Sequence, residues 1–124
     1  MDMNKIRVHD VLTCGLDENI TNIEDTLKEK NEKRIYILDS EGALKGVLTT
    51  TDLVYQTQGK DKSKFTAKDV MHSQVEFVDV NDSHRKALEI MNKYQTFMCP
   101  IVKDNKLIGA IAYDDVLAYA TIAD

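Results

Sequence analysis

Apolar residues gather in short bursts separated by polar turns, and the bursts form two matching series. In "RIYILDSEGALKGVLTTTDLV" an apolar run, a polar turn and a second apolar run holding Gly46 lead to Asp52, ahead of Leu53 and Val54. "MCPIVKDNKLIGAIAYDDVL" repeats the series, with Gly109 and Asp115 in the places of Gly46 and Asp52, and Pro100 in the place of Tyr36. Runs of this length bounded by turn residues predict strands, and each pair predicts a hairpin. Leu53, Val54 and Tyr55 then read as the inner face of a helix beginning at Asp52.

A helix is predicted ahead of each hairpin. Ile23 and Leu27 mark the first; Ala87, Met91, Tyr94 and Met98 form a stripe for the second. The first stripe fades into "KEKNEKR", which predicts a shorter or more exposed helix. Further upstream, "HDVLT" from His9 aligns with "KDVMH" from Lys68 on a shared Asp-Val. "VEFVDV", Val75 to Val80, alternates as a half-buried strand does; in this register the first copy is shorter and has little room for such a strand. An internal repeat of this period implies one structural unit used twice. The expected division is residues 1–58, a linker at 59–67, and residues 68–124.

At 124 residues the chain forms one compact domain or two small units sharing a core. No apolar run approaches the roughly 20 residues that span a bilayer. The opening "MDMNKIRVHD" lacks the apolar core of a signal peptide, so a reduced, cytoplasmic setting is expected. A net charge of −5 and a pI near 5.1 speak against a general grip on nucleic acid, and membrane binding is not expected.

Cys14 and Cys99 are too few for a disulfide framework. Together with His9, His72 and His84 they show no metal-ligand spacing and no nucleophile–base pattern, so neither a metal site nor catalysis is expected. Cys99 reads as a small core hydrophobe and Cys14 as a loop thiol. Lys60, Lys62, Lys64 and Lys68 read as a solvated spacer, with contact of Lys60, Lys62 or Lys64 to a polyphosphate as the alternative.

The doubled series, with its Gly-x-x-Thr-x-x-Asp ending in "GVLTTTD", resembles a tandem pair of cystathionine-β-synthase (CBS) domains, the Bateman module, over nearly the whole chain. The resemblance implies an α/β (α+β) fold of two pseudo-symmetric repeats, with small sheets packed together and helices flanking them. It further implies a regulatory module that binds AMP, ADP, ATP or S-adenosylmethionine in a cleft between the repeats. Such modules signal by conformational change to a partner, here an unknown regulated protein, commonly assemble as homodimers and catalyse nothing themselves.

By that resemblance Thr49 places a hydroxyl toward a phosphate, helped by Thr50 and Thr51, and Asp52 takes the ribose hydroxyls. An acceptor-only carboxylate suits a diol, and free N–H groups at a helix start suit an anion. Asp52 is also a natural helix cap, and the two roles are compatible. "GAIAYDD" keeps the carboxylate as Asp115 but puts Ala112 where Thr49 stands, which predicts a weaker second site. Base recognition is implied at Ile35, Tyr36 and Ile37, and at Met98, Cys99, Pro100, Val78 and Asp79. The competing expectation is a ligand-free dimerisation or docking module, using the apolar run Val116, Leu117, Tyr119, Ala120 and Ile122.

Overall fold

A computed structural model describes residues 3–123, with every side chain among them except those of Asn4, Ile122 and Ala123. The chain divides into two compact units, one of Leu12–Val75 and one formed by the residues up to Val11 with those from Glu76 onward.

The first unit contains β1 (Thr13–Gly15), α1 (Ile20–Lys30), β2 (Arg34–Leu38), β3 (Leu44–Thr49), α2 (Thr50–Thr57) and the short α3 (Ala67–Val70). Its sheet has the order β1-β2-β3. β1 runs parallel to β2, with Cys14 opposite Ile37, and β2 runs antiparallel to β3, with Tyr36 opposite Val47. The Asn19 side chain caps α1 by accepting the Thr21 N–H at 2.9 Å, and left-handed Asn31 ends the helix. Ile20, Ile23 and Leu27 of α1 pack on Ile35, Ile37 and Leu48 of the sheet, with Leu53, Ala67 and Val70 completing the core.

The second unit contains β4 (Val78–Asp79), α4 (His84–Tyr94), β5 (Met98–Lys103), β6 (Lys106–Ala112) and α5 (Tyr113–Ala123). Val78 of β4 pairs parallel with Ile101, and Pro100 pairs antiparallel with Ala110, so the order β4-β5-β6 repeats that of the first unit. Asp104 and Asn105, both at positive φ, make the tight turn between β5 and β6. Ala87, Met91, Val78, Cys99, Ile101, Ile111 and Val116 form the core, and Met3 and Ile6 from the chain's start join it.

Several sequence expectations change. The first copy does have its early strand, β1, so Cys14 lies in a strand and not in a loop. The Asp-Val match set the wrong register. Asp69 and Val70 belong to α3, and their counterparts are the residues around Ile6, which sits in the second core as Val70 sits in the first. The counterpart of His72 is His9, for each pairs with the hairpin strand leading to an Asp-bearing helix: His72 with Val47, His9 with Ala110. α1 and α4 are both 11 residues long, so the first helix is not the shorter. Tyr94 is exposed and Met98 already lies in β5, so the inner stripe of α4 is His84, Ala87 and Met91. In "VEFVDV" only Val78 and Asp79 pair.

α2 begins at Thr50 and buries Leu53 and Thr57, while Val54 and Tyr55 face outward. Successive helical residues lie about 100° apart, so three in a row cannot share an inner face. The 59–67 stretch is no free spacer. Phe65 packs against the first core and accepts the Ile20 N–H at 3.1 Å, Lys62 bonds Glu24 at 2.7 Å, and the Lys60 ammonium stands 5.8 Å from the Phe65 ring centre. Val116 and Ala120 of α5 are buried and Leu117 is exposed; the Ile122 side chain lies outside the described residues.

Two glycines permit the lead-in segments to lie against the hairpins. A Cβ on Gly46 would stand 2.8 Å from the His72 carbonyl oxygen; one on Gly109, at φ 148°, would overlap the carbonyl oxygen of His9. Gly109→Ala is therefore expected to lower stability by about 1–3 kcal/mol, as overpacking does. Gly15→Ala, where a Cβ meets nothing within 4 Å, is expected to be near neutral. Urea unfolding of the two variants checks both; equal midpoints would contradict the close approach.

Candidate functional site

The Gly-x-x-Thr-x-x-Asp stretch spans the end of β3 and the first turn of α2. Thr49, extended at φ −114° and ψ 162°, is the N-cap, and Asp52 is the third helical residue. The Asp52 N–H donates to Thr49 Oγ1 at 3.2 Å. In return Asp52 Oδ2 accepts the Thr49 N–H at 3.0 Å and the Thr49 hydroxyl at 2.8 Å, a closed capping box. The Thr50 N–H donates to the Lys33 carbonyl at 3.0 Å.

This arrangement spends the Thr49 hydroxyl inside the turn, where it orients the carboxylate. The threonines that begin α2 beside it are Thr50, half-buried, and Thr51, exposed. Asp52 Oδ1 accepts from Nε2 of His72 at 2.6 Å. The Asp52 side chain is 14% exposed and that of His72 58%, so the outward side of the carboxylate is covered by an imidazole at the surface. Desolvation pushes the Asp52 carboxyl up. The hydrogen bonds from the Thr49 hydroxyl and His72, the Thr49 N–H and the His72 charge outweigh it and hold the group below the usual carboxylate range.

The second unit repeats part of this. Nε2 of His9 meets Asp115 Oδ2 at 3.0 Å. Ala112 offers no hydroxyl to orient the carboxylate, and Asp115 is more open, at 39% exposure. Tyr113 N–H donates to the Phe97 carbonyl at 2.8 Å, while Asp114 points its charge outward, being exposed.

Of the residues implied in base recognition, Ile35 and Ile37 belong to the first core, and Val78 and Cys99 to the second. Tyr36, also buried, lies on the other face of β2 from its two isoleucines; Pro100 is likewise buried between core-facing Cys99 and Ile101. Met98 is half-buried at the start of β5. Asp79 is tied into its own turn, accepting the Asn81 N–H at 2.9 Å. The residues that converge on one point are thus Thr49, Asp52 and His72.

The histidines are what the sequence reading missed. Ligand spacing and a nucleophile were the wrong tests for them. The usable signal was the interval from His9 to His72, which equals those from Gly46 to Gly109 and from Asp52 to Asp115. A groove of about 430 Å³ in the first unit was also not foreseen; Leu27, Leu53 and Val54 line it with Thr50, Lys33 and the Glu24–Lys62 pair. Burial pushes the Cys14 thiol up to about 11, with Glu18 adding, and that of Cys99 up to about 12, so neither is a ready nucleophile. Among the described residues no group of three or more His, Cys, Asp and Glu could hold a metal ion, and no helix is long and apolar enough to cross a membrane.

Comparison with known proteins identifies the fold. The family model for the CBS domain matches residues 3–58 and again 67–121. CBS domain-containing protein YhcV of Bacillus subtilis is 30% identical over 108 residues, covering 86% of this chain and 76% of that protein. Hypoxic response protein 1 of Mycobacterium tuberculosis is 26% identical over 108 residues, covering 85% and 76%. The solved structure of Hypoxic Response Protein I, with two coordinated zinc ions in that protein, superimposes with a TM-score of 0.79 at 22% identity, over 95% of this chain and 97% of that one. At that identity the likeness shows the fold: two small sheets with flanking helices.

The depressed Asp52 carboxyl makes a testable statement about stability. With its folded pKa below the unfolded value of about 3.9, its contribution is present in full above that pH and is lost as pH falls through the folded value. Asp52→Ala is expected to cost about 0.5–2 kcal/mol at pH 7, the range for a lost cap, and progressively less below pH ~4. Urea titrations across that range check it; a penalty that stayed constant down to pH ~2 would contradict the charged capping box.

Proposed function

Because the chain belongs to the CBS-domain family and carries two copies of its domain, a class of regulatory and typically non-catalytic ligand-binding modules, we propose that it senses an adenosine-containing nucleotide at the Thr49–Asp52 turn. The observation that carries this reading is the Asp52 carboxylate. It is charged, aimed by the Thr49 N–H and hydroxyl, and closed on its outer side by a surface histidine.

Such a group is an acceptor fixed in place before the ligand arrives, which reduces the ordering cost of binding a diol. The start of α2, with Thr50 and Thr51 beside the carboxylate, suits the phosphate end of the same ligand. AMP, ADP, ATP and S-adenosylmethionine all present the ribose diol, and they differ in the charge brought to these threonines. Asp115 offers the same acceptor without the orienting hydroxyl, so its site is the weaker one. Binding acts by population shift: the ligand favours one arrangement of the chain, and a partner protein or a second copy of the chain recognises it.

A docking role without a ligand is favoured by one observation. Val54 and Tyr55 stand exposed on α2, Tyr55 at 73%. Ligand-dependent stabilisation separates the two readings. In a thermal-shift series, a nucleotide at a hundred times its Kd is expected to add roughly 2.7 kcal/mol, a shift of several degrees. Asp52→Ala should abolish the shift and Asp115→Ala should preserve most of it. No shift with any of the four ligands, with the variants folded, would contradict nucleotide sensing and favour docking.

A further inference from the structure

The two histidines do more than cover a charge. His72 sits on the segment that ends the first unit at Val75, from which the chain passes into the second at Glu76. His9 sits just before the other crossing, between Val11 and Leu12. The two places where the backbone leaves one unit for the other therefore lie within a few residues of an imidazole bonded to a helix-start aspartate.

Each crossing segment is held in the same way. The His72 N–H donates to the Val47 carbonyl at 2.9 Å and the Val47 N–H returns to His72 at 3.0 Å. His9 and Ala110 exchange the same two bonds, at 2.8 and 3.0 Å. Beyond this short ladder, the side-chain tie to the hairpin's end is the histidine–aspartate bond: His72 Nε2 to Asp52 Oδ1 at 2.6 Å, and His9 Nε2 to Asp115 Oδ2 at 3.0 Å. Because His72 is mostly exposed, this pair adds little to stability. What it does is occupy the oxygen that Thr49 leaves open.

We propose that His72 and His9 are displaceable latches: each imidazole holds the carboxylate oxygen that a ligand's vicinal diol needs, and binding exchanges imidazole for hydroxyls and loosens the segment that crosses between units. This rests on the nucleotide-sensing reading and supplies the step that it lacks, from an occupied carboxylate to a change in the chain around it. A ligand that must break an existing bond binds more weakly by the strength of that bond, and the bond broken is the signal sent. His72 is here a positioning residue that competes with the ligand.

The competition fixes the sign of the test. AMP affinity is measured by calorimetry for the full chain, for His72→Ala and for Asp52→Ala, with amide hydrogen exchange followed at Val47 and His72. His72→Ala is expected to bind AMP about two- to tenfold more tightly, the range for one lost competing hydrogen bond. Asp52→Ala is expected not to bind. In the wild type AMP should speed exchange at Val47 and His72, because the tie beside their ladder is gone. If His72→Ala binds as wild type does or more weakly while Asp52→Ala still fails to bind, the latch is overturned and nucleotide sensing stands; His72 would then be a ligand contact. If neither wild type nor His72→Ala binds, the sensing reading fails and the latch fails with it. Binding by His72→Ala alone supports both.

Discussion

The architecture of each unit depends on a backbone contact that side chains would forbid. The segment carrying His72 lies so close to β3 that Gly46 has no room for a Cβ, and the segment carrying His9 lies as close to β6 at Gly109. That approach allows the two-bond ladders to Val47 and Ala110. It also delivers each histidine to the start of the following helix, where the carboxylate is. Strand pairing, glycine placement and the site's electrostatics are thus one arrangement.

The difference between the units follows from one hydroxyl. Thr49 gives α2 a capping box, and the box fixes Asp52 with one oxygen turned in and one turned out. Ala112 cannot do this, and Asp115 stands more open, answered by His9 at the longer distance. A single Thr-to-Ala difference therefore separates a carboxylate oriented by a hydroxyl from a more open one without that partner.

Much of this was legible in the sequence, and the parts that were not share a cause. The hairpins, the glycines and the Asp52–Asp115 correspondence rest on local patterns that the chain repeats in order. The early strand β1 is hidden by the matching Asp-Val pair, which outweighs the longer register; Ile6 is buried in the second core as Val70 is in the first, while Val11 is only half-buried. Val54 and Tyr55 follow Leu53 as an apolar run, yet the helical angle of about 100° per residue turns both outward. The histidine–aspartate bonds join residues 106 and 20 positions apart in sequence, and no local pattern announces such a pair. Only the equal spacing of three residue types did, and it has meaning once the strands are paired.

The central claim is that Asp52 reads a ribose diol. It is tested most directly by comparing the affinity of the intact chain for AMP and for 2′-deoxyadenosine monophosphate, which share base and phosphate and differ by one hydroxyl. A hydrogen bond to a charged acceptor predicts that the deoxy ligand binds at least roughly tenfold more weakly, with the difference gone in Asp52→Ala as binding itself is lost. Equal affinities for the two ligands would contradict the account, because the Asp52 carboxylate would then make no use of the 2′-hydroxyl.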